Sequence, residues 1–96
     1  MEITQKIFNE LERLGELLEG QIHIIDMSDD VDEYYAEKKY RVYHSDEYCI
    51  DIFKQVSTID EETDKVISYY YDSYQEWEGF NKIKEEDLLE ILIKVK

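Results

Sequence analysis

The chain has 96 residues, the length of one small domain, and 43% of them are hydrophobic, which is enough for a core. Twenty-five acidic residues against 11 basic ones give a formal net charge of −14. Because this charge repels phosphate, the composition excludes direct binding to DNA, RNA or an anionic membrane through a basic face. A basic partner protein, a cation or simple solubility remain as explanations of the charge.

The sequence also indicates in which cellular compartment the protein is expected. No apolar run approaches the roughly 18 residues that a bilayer-spanning helix needs. Residues 1–18 lack the basic start and apolar stretch of a secretory signal. Cys49 is the only cysteine, so an intramolecular disulfide is impossible. We therefore expect a cytoplasmic protein.

Residues 3–18 have apolar side chains at spacings of three and four, which predicts an amphipathic helix with one buried face. The apolar stripe consists of Ile3, Ile7, Leu11, Leu14 and Leu18. Gly15 lies inside this predicted helix. Gly20 is predicted to end it, because glycine accepts the left-handed conformation found at helix C-termini.

Four segments after this helix predict strands. Residues 21–27 are rich in β-branched side chains. Residues 38–44 and 47–56 alternate on either side of a tight turn and predict an antiparallel hairpin. Residues 66–74 predict a further strand because of their β-branched and tyrosine content, although the apolar spacing as far as Trp77 also fits a helix.

Residues 84–95 predict a second helix, with acids in its first turn and lysines at its end that complement the helix dipole. The predicted fold class is therefore α+β. We expect a single acidic domain, residues 1–96, in which an antiparallel sheet of three to four strands is flanked by an N-terminal and a C-terminal helix. A meander is the simplest topology.

The acidic residues are concentrated in two stretches, 26–37 and 57–64. Further acids occur nearby at Asp46, Asp51, Asp72, Glu76 and Glu78. Carboxylates spaced over one surface imitate the charges of a nucleic-acid backbone, so we predict that some of them replace phosphates in a basic groove. These partner-binding residues are Asp29, Asp30, Asp32, Glu33, Asp60, Glu61, Glu62 and Asp64. The alternative is a solvated surface that keeps a small domain soluble.

Nine tyrosines exceed what a core of this size needs. Tyr34 and Tyr35 lie within the first acidic stretch, and tyrosine is favoured in protein interfaces. We therefore predict that these two residues also bind the partner, by packing against the walls of its groove. Around Tyr70 we favour a different explanation, namely strand propensity and core packing.

Metal and catalytic sites have little support. One twelve-residue stretch has the acid spacing of a calcium loop, formed by Asp26, Ser28, Asp30, Asp32 and Glu37. However, Val31 occupies the position where such a loop needs glycine, so we predict no metal site and no cofactor. His23 and His44 lack the local context of a catalytic triad, and we predict that the protein is not an enzyme. Cys49 is predicted to be a buried packing residue.

In size, charge and tyrosine content the chain resembles the small acidic α+β inhibitors that phages make against host defence, including anti-CRISPR proteins. It is also similar in kind to the small immunity proteins that neutralise nuclease toxins. The resemblance covers no motif, so no site residue is carried over from it. It implies a non-enzymatic inhibitor that occupies the nucleic-acid-binding groove of a basic protein, in first place a CRISPR effector nuclease. The alternatives are an immunity protein and a structural or regulatory homodimer paired through the apolar helix stripe.

Overall fold

The computed structural model describes residues 2–28 and 36–95. Its elements in chain order are α1 (Ile3–Leu14), β1 (Leu17–Glu19), β2 (Ile22–Asp26), β3 (Ala36–His44), β4 (Tyr48–Ile59), β5 (Val66–Tyr74) and α2 (Glu85–Ile93). The strands form one antiparallel sheet in the order β1-β2-β3-β4-β5. The predicted α+β class and meander are confirmed, with five strands rather than three to four.

The additional strand comes from residues that we assigned to the first helix. α1 ends at Leu14, because Gly15 adopts a φ of +65° and donates its N–H to the Leu11 carbonyl at 2.8 Å. The chain then turns into β1, and Gly20, at a φ of +58°, lies in the tight turn to β2 instead of at a helix end. The predicted helix as far as Leu18 was therefore wrong, since a three–four spacing continues past the point where the backbone leaves the helix.

The predicted hairpin is confirmed as β3 and β4. Tyr40 pairs with Ile52 and Val42 with Ile50, so these apolar side chains share one face of the sheet. Ser45 and Asp46 both adopt a φ of +55° in the turn that joins the two strands. The segment that fitted either a strand or a helix forms β5, and the predicted second helix is α2.

Both helices cover the same face of the sheet, and the core lies between the two layers. It consists of Ile7, Phe8, Leu11, Ile22, Ile24, Tyr40, Val42, Ile50, Ile52, Ile83, Leu88 and Leu92. The Phe8 ring lies 5.7 Å from the ring centroid of Tyr40 and 5.2 Å from that of Tyr71. α1 therefore packs as far as the edge strand β5.

The segment between β5 and α2 runs over the opposite face and then around the end of the sheet. The side chain of Gln75 anchors it by accepting the N–H of Ile83 at 2.8 Å and donating to the carbonyl of the same residue at 2.9 Å. Further along, Asn81 donates its N–H to the carbonyl of Glu47 at 2.8 Å. Among the described residues, no helix is both long and apolar enough to span a membrane.

Substitutions along the predicted stripe test where α1 ends. Leu11 is fully buried, so Leu11→Ala is expected to lower the free energy of unfolding by about 2–5 kcal/mol. Leu18 is 77% exposed on β1, so Leu18→Ala is expected to change it by less than about 0.5 kcal/mol. Urea unfolding followed by circular dichroism measures both. Comparable losses in the two variants would contradict the end of α1 at Leu14.

Candidate functional site

The described part of the predicted acidic site forms the turn between β4 and β5. One carboxylate oxygen of Asp60 accepts the N–H of Glu62 at 2.8 Å and that of Thr63 at 3.3 Å. Asp64 adopts a left-handed φ of +57° and donates its N–H to the Asp60 carbonyl at 2.8 Å. The side chains of Glu61, Glu62 and Asp64 are exposed. Asp60 therefore holds the turn in shape, while the other three acids face solvent.

Within the described residues, the hairpin that carries this acidic turn extends past the start of β3. β3 begins at Ala36, opposite Gln55, whereas β4 continues to Ile59 and pairs there with Val66. β2 also ends, at Asp26, at this end of the sheet, because β2 and β4 run in the same direction in the meander. The acidic turn is thus the tip of the two-stranded ribbon formed by β4 and β5.

The remaining predicted partner-binding residues cannot be placed. Asp29, Asp30, Asp32, Glu33, Tyr34 and Tyr35 lie outside the described residues. The strands before and after them, β2 and β3, end and begin at the same end of the sheet as the acidic turn. The chain therefore enters and leaves the first acidic stretch at the end of the sheet that carries the second.

Exposed hydrophobic side chains continue from the acidic turn along β5. Five of the seven large hydrophobic side chains that are exposed in the described part lie on this strand: Val66, Ile67, Tyr69, Tyr70 and Tyr74. The Lys54 ammonium lies 4.2 Å from the ring centroid of Tyr69, and the Tyr70 hydroxyl donates to the side-chain oxygen of Gln55. These two rings are held in position by their neighbours and remain accessible.

Core packing, which we favoured for Tyr70, was wrong. Tyr70 pairs with Gln55 and lies on the face of the sheet opposite the helices, where it is 45% exposed. Its neighbour Tyr71 lies on the helix face and packs on Phe8. Alternation therefore places Tyr70 on the face opposite the helices and Tyr69 and Tyr71 on the helix face, where Tyr71 packs on the core and Tyr69, nearer the acidic turn, is 39% exposed.

A buried ion pair lies on the face of the sheet opposite the helices. Asp51 is 2% exposed, and its carboxylate accepts hydrogen bonds from Arg41 at 2.8 and 3.1 Å. The Lys39 ammonium lies 3.3 Å from the same carboxylate. The Arg41 guanidinium also stacks 4.6 Å from the ring centroid of Trp77. Hydrogen bonding to Asp51 raises the pKa of Arg41 above its ordinary value, so this cation is permanent.

This ion pair corrects the predicted acidic surface. We grouped Asp51 with the nearby acids, but its charge is buried and paired. Ring contacts extend the cover over this face, with Tyr43 at 5.9 Å from Phe80 and Tyr74 at 5.0 Å from Trp77. The sequence signal for these ring contacts was weak, because Phe80 lies outside the periodic segments and the spacing as far as Trp77 also fitted a helix.

The described residues that we considered for catalysis or metal binding are engaged in local contacts. Asp26 accepts the N–H of Ser28 at 2.9 Å, and hydrogen bonds from Ser28 lower the pKa of Asp26. His23 lies 6.0 Å from the Tyr43 ring, and His44 lies 3.2 Å from the Ser45 hydroxyl. Within residues 2–28 and 36–95, no three metal-ligating side chains come together.

No family model, curated protein or solved structure matches this chain. Function is therefore inferred from the chain's own surface. Two features stand out on it, the acidic turn and the exposed hydrophobic side chains of β5, and they lie on the same hairpin. Both are features of a protein-binding surface, because aromatic side chains supply contact area and charges supply orientation.

We expect Asp51→Asn to lower the free energy of unfolding by about 3 kcal/mol, because it leaves Arg41 and Lys39 without their buried counter-charge. Urea unfolding followed by the fluorescence of Trp77 measures the change. Glu76→Gln is the matched control, since it removes the exposed pair with Lys82 and is expected to cost less than about 0.5 kcal/mol. Equal effects would show that burial of the Asp51 pair is unimportant.

Cys49 is 3% exposed, which confirms the predicted packing role, and burial raises the pKa of its thiol. At pH 7 the native protein is expected to react with a thiol reagent roughly 100-fold more slowly than the urea-unfolded protein. Because burial disfavours the thiolate, deprotonation of Cys49 favours the unfolded state. The contribution of Cys49 to the free energy of unfolding is therefore fully present below the ordinary thiol pKa and falls as pH rises above it. Equal native and unfolded rates would contradict the burial.

Proposed function

We propose that this protein is a non-enzymatic inhibitor that occupies the nucleic-acid-binding groove of a basic protein in the cytoplasm, in first place a CRISPR effector nuclease. The observation that supports this proposal is the exposed acidic turn at the tip of the β4–β5 hairpin, beside the exposed tyrosines of β5. The carboxylates replace phosphates, and the tyrosines contact the groove walls.

The charge density of the acidic turn is comparable with that of a nucleic-acid strand. Four of the five consecutive residues from Asp60 to Asp64 are acidic. The four residue steps from Asp60 to Asp64 span at most about 14 Å, so neighbouring charges are on average no more than about 5 Å apart along the chain. One strand of a duplex carries one charge per about 3.4 Å. A groove that binds phosphates therefore meets a similar field at this turn.

The tip of a hairpin also suits entry into a groove. Two paired strands are narrow, since neighbouring strands lie about 4.8 Å apart. β4 continues past the first residue of β3, and within residues 2–28 and 36–95 no strand other than β5 pairs with this last part of β4. The acids at the tip lead, and Tyr69 and Tyr70 follow along the sides.

The fold supports the two alternative functions, an immunity protein and a homodimer, unequally. An immunity protein for a nuclease toxin would use the same surface against another basic groove, so the identity of the partner separates it from an anti-CRISPR inhibitor. The apolar stripe of α1 does not support a homodimer, because Ile7 and Leu11 are fully buried against the chain's own sheet and are not available to a second copy.

Two charge-reversal variants test the groove proposal. The first combines Glu61→Lys and Glu62→Lys in the acidic turn, and the control combines Glu47→Lys and Glu90→Lys, which are also exposed. Both change the net charge equally. Asp60 is left intact because its carboxylate holds the turn. We expect the first variant to bind a CRISPR effector nuclease at least about tenfold more weakly, while the control binds nearly as well as the unchanged protein.

Competition and salt dependence complete the test. The nuclease's nucleic acid is expected to compete with this protein for one site, and affinity is expected to fall steeply with salt, since the Debye length is about 8 Å at 0.15 M. Melting temperatures of both variants are expected to stay close to that of the unchanged protein. Simultaneous binding of nucleic acid and this protein with undiminished affinity would contradict the proposal.

A further inference from the structure

The outer edge of β5 is a long unpaired strand edge. β5 is the last strand of the sheet, and no strand within residues 2–28 and 36–95 pairs with its outer side. It has nine residues, whereas β1 at the other edge has three. An edge of this length offers a row of backbone N–H and C=O groups to which a further strand can be added.

β5 lacks the usual protection of an edge strand. Soluble proteins blunt such edges with lysine, proline or inward-pointing charges, and β5 contains no lysine or proline and only one charged residue, Asp72. Register shifts in its pairing with β4 are confined to the end beside the acidic turn. From Tyr69 to Tyr74 the pairing is regular. This part of the edge is a regularly paired template, and four of its six side chains are exposed.

The hydrogen bonds identify which backbone groups face outward. The N–H of Ser73 donates at 2.8 Å to the carboxylate of the preceding residue, Asp72, and so points away from β4. Inward and outward groups alternate along an antiparallel strand. Tyr69 and Tyr71 therefore present their N–H groups on the same outer edge as Ser73. Of these three donors, only that of Ser73 is occupied by a side chain of its own strand.

The charges at the two ends of this edge decide which strand fits it. The acidic turn precedes β5, and the exposed Glu76 and Glu78 follow it. A second copy paired antiparallel about Tyr70 would place each acidic turn beside the other copy's Glu76 and Glu78, where like charges repel. A strand with an apolar centre and basic residues at both ends complements the edge along its whole length.

We propose that the outer edge of β5 binds an extended segment of the partner by strand addition. The segment carries β-branched or aromatic residues in its centre and lysine or arginine at both ends. This inference rests on the proposed function, since the partner is the same basic protein, and it names how that protein is held. Main-chain hydrogen bonds to Tyr69 and Tyr71 provide the attachment, and the charges at the ends set the register.

Two substitutions at one position test the attachment. Proline is tolerated in an edge strand where the N–H faces solvent, so Tyr69→Pro removes the outward donor while keeping the strand. Tyr69→Thr is the matched control, because it also removes the ring but keeps the N–H. The probe is a synthetic peptide of alternating threonine and valine with a lysine pair at each end. We expect Tyr69→Pro to bind it at least about tenfold more weakly than Tyr69→Thr does.

Further measurements keep the test decisive if Tyr69→Pro does not fold. In the unchanged protein, the peptide is expected to slow hydrogen exchange at the amides of Tyr69 and Tyr71. The same peptide with aspartate pairs at its ends is expected not to bind. Equal binding by the two variants, no slowing of exchange, or a β5-paired dimer in sedimentation would each overturn the inference.

The two proposals fail in distinguishable ways. If the lysine-ended peptide binds as expected but the nuclease still binds nucleic acid in the presence of this protein, strand addition stands and groove occupation fails. If the Glu61 and Glu62 variant loses the nuclease while Tyr69→Pro binds it as well as Tyr69→Thr does, groove occupation stands and strand addition fails.

Discussion

The Arg41–Asp51 ion pair joins β3 to the first half of β4, on the face of the sheet that the helices do not cover. A carboxylate buried there is stable only because the guanidinium fork and Lys39 together satisfy it. Trp77 stacks on Arg41 and holds the segment after β5 across this face. That segment then rounds the end of the sheet and places Ile83 in the core, just before α2.

The acidic residues serve two different purposes in this fold. Some are structural: Glu12 accepts hydrogen bonds from Lys38 and from the Tyr40 hydroxyl. The interaction of Lys38 with the side chain of Tyr40 in turn raises the pKa of Lys38. Asp60 likewise shapes the acidic turn. Others, such as Glu61, are exposed. Since self-repulsion opposes compaction at a net charge of −14, exposed acids clustered at one tip have a cost that partner binding would offset.

The β4–β5 hairpin combines features that are rarely left together on a free surface. An unpaired edge and exposed tyrosines favour association, whereas the acids at both ends of the edge disfavour association with a second copy. Under the proposed function, the same charges disfavour self-association and select a basic partner. The helical layer contacts both strands of this hairpin. Its contribution is to anchor the hairpin through the packing of Phe8 on Tyr71.

The sequence alone determined the α+β class, the central hairpin and α2, because alternation at period two and acids in a first helical turn are local signals. It also showed the acidity of the candidate site, which is a matter of composition. The end of α1, the burial of Asp51 and the exposure of Tyr70 were decided only by the tertiary structure. Periodicity tells which side chains share a face, but not which face the helices cover. The partners of Asp51, ten and twelve residues away, reach it only through packing and cross-strand register.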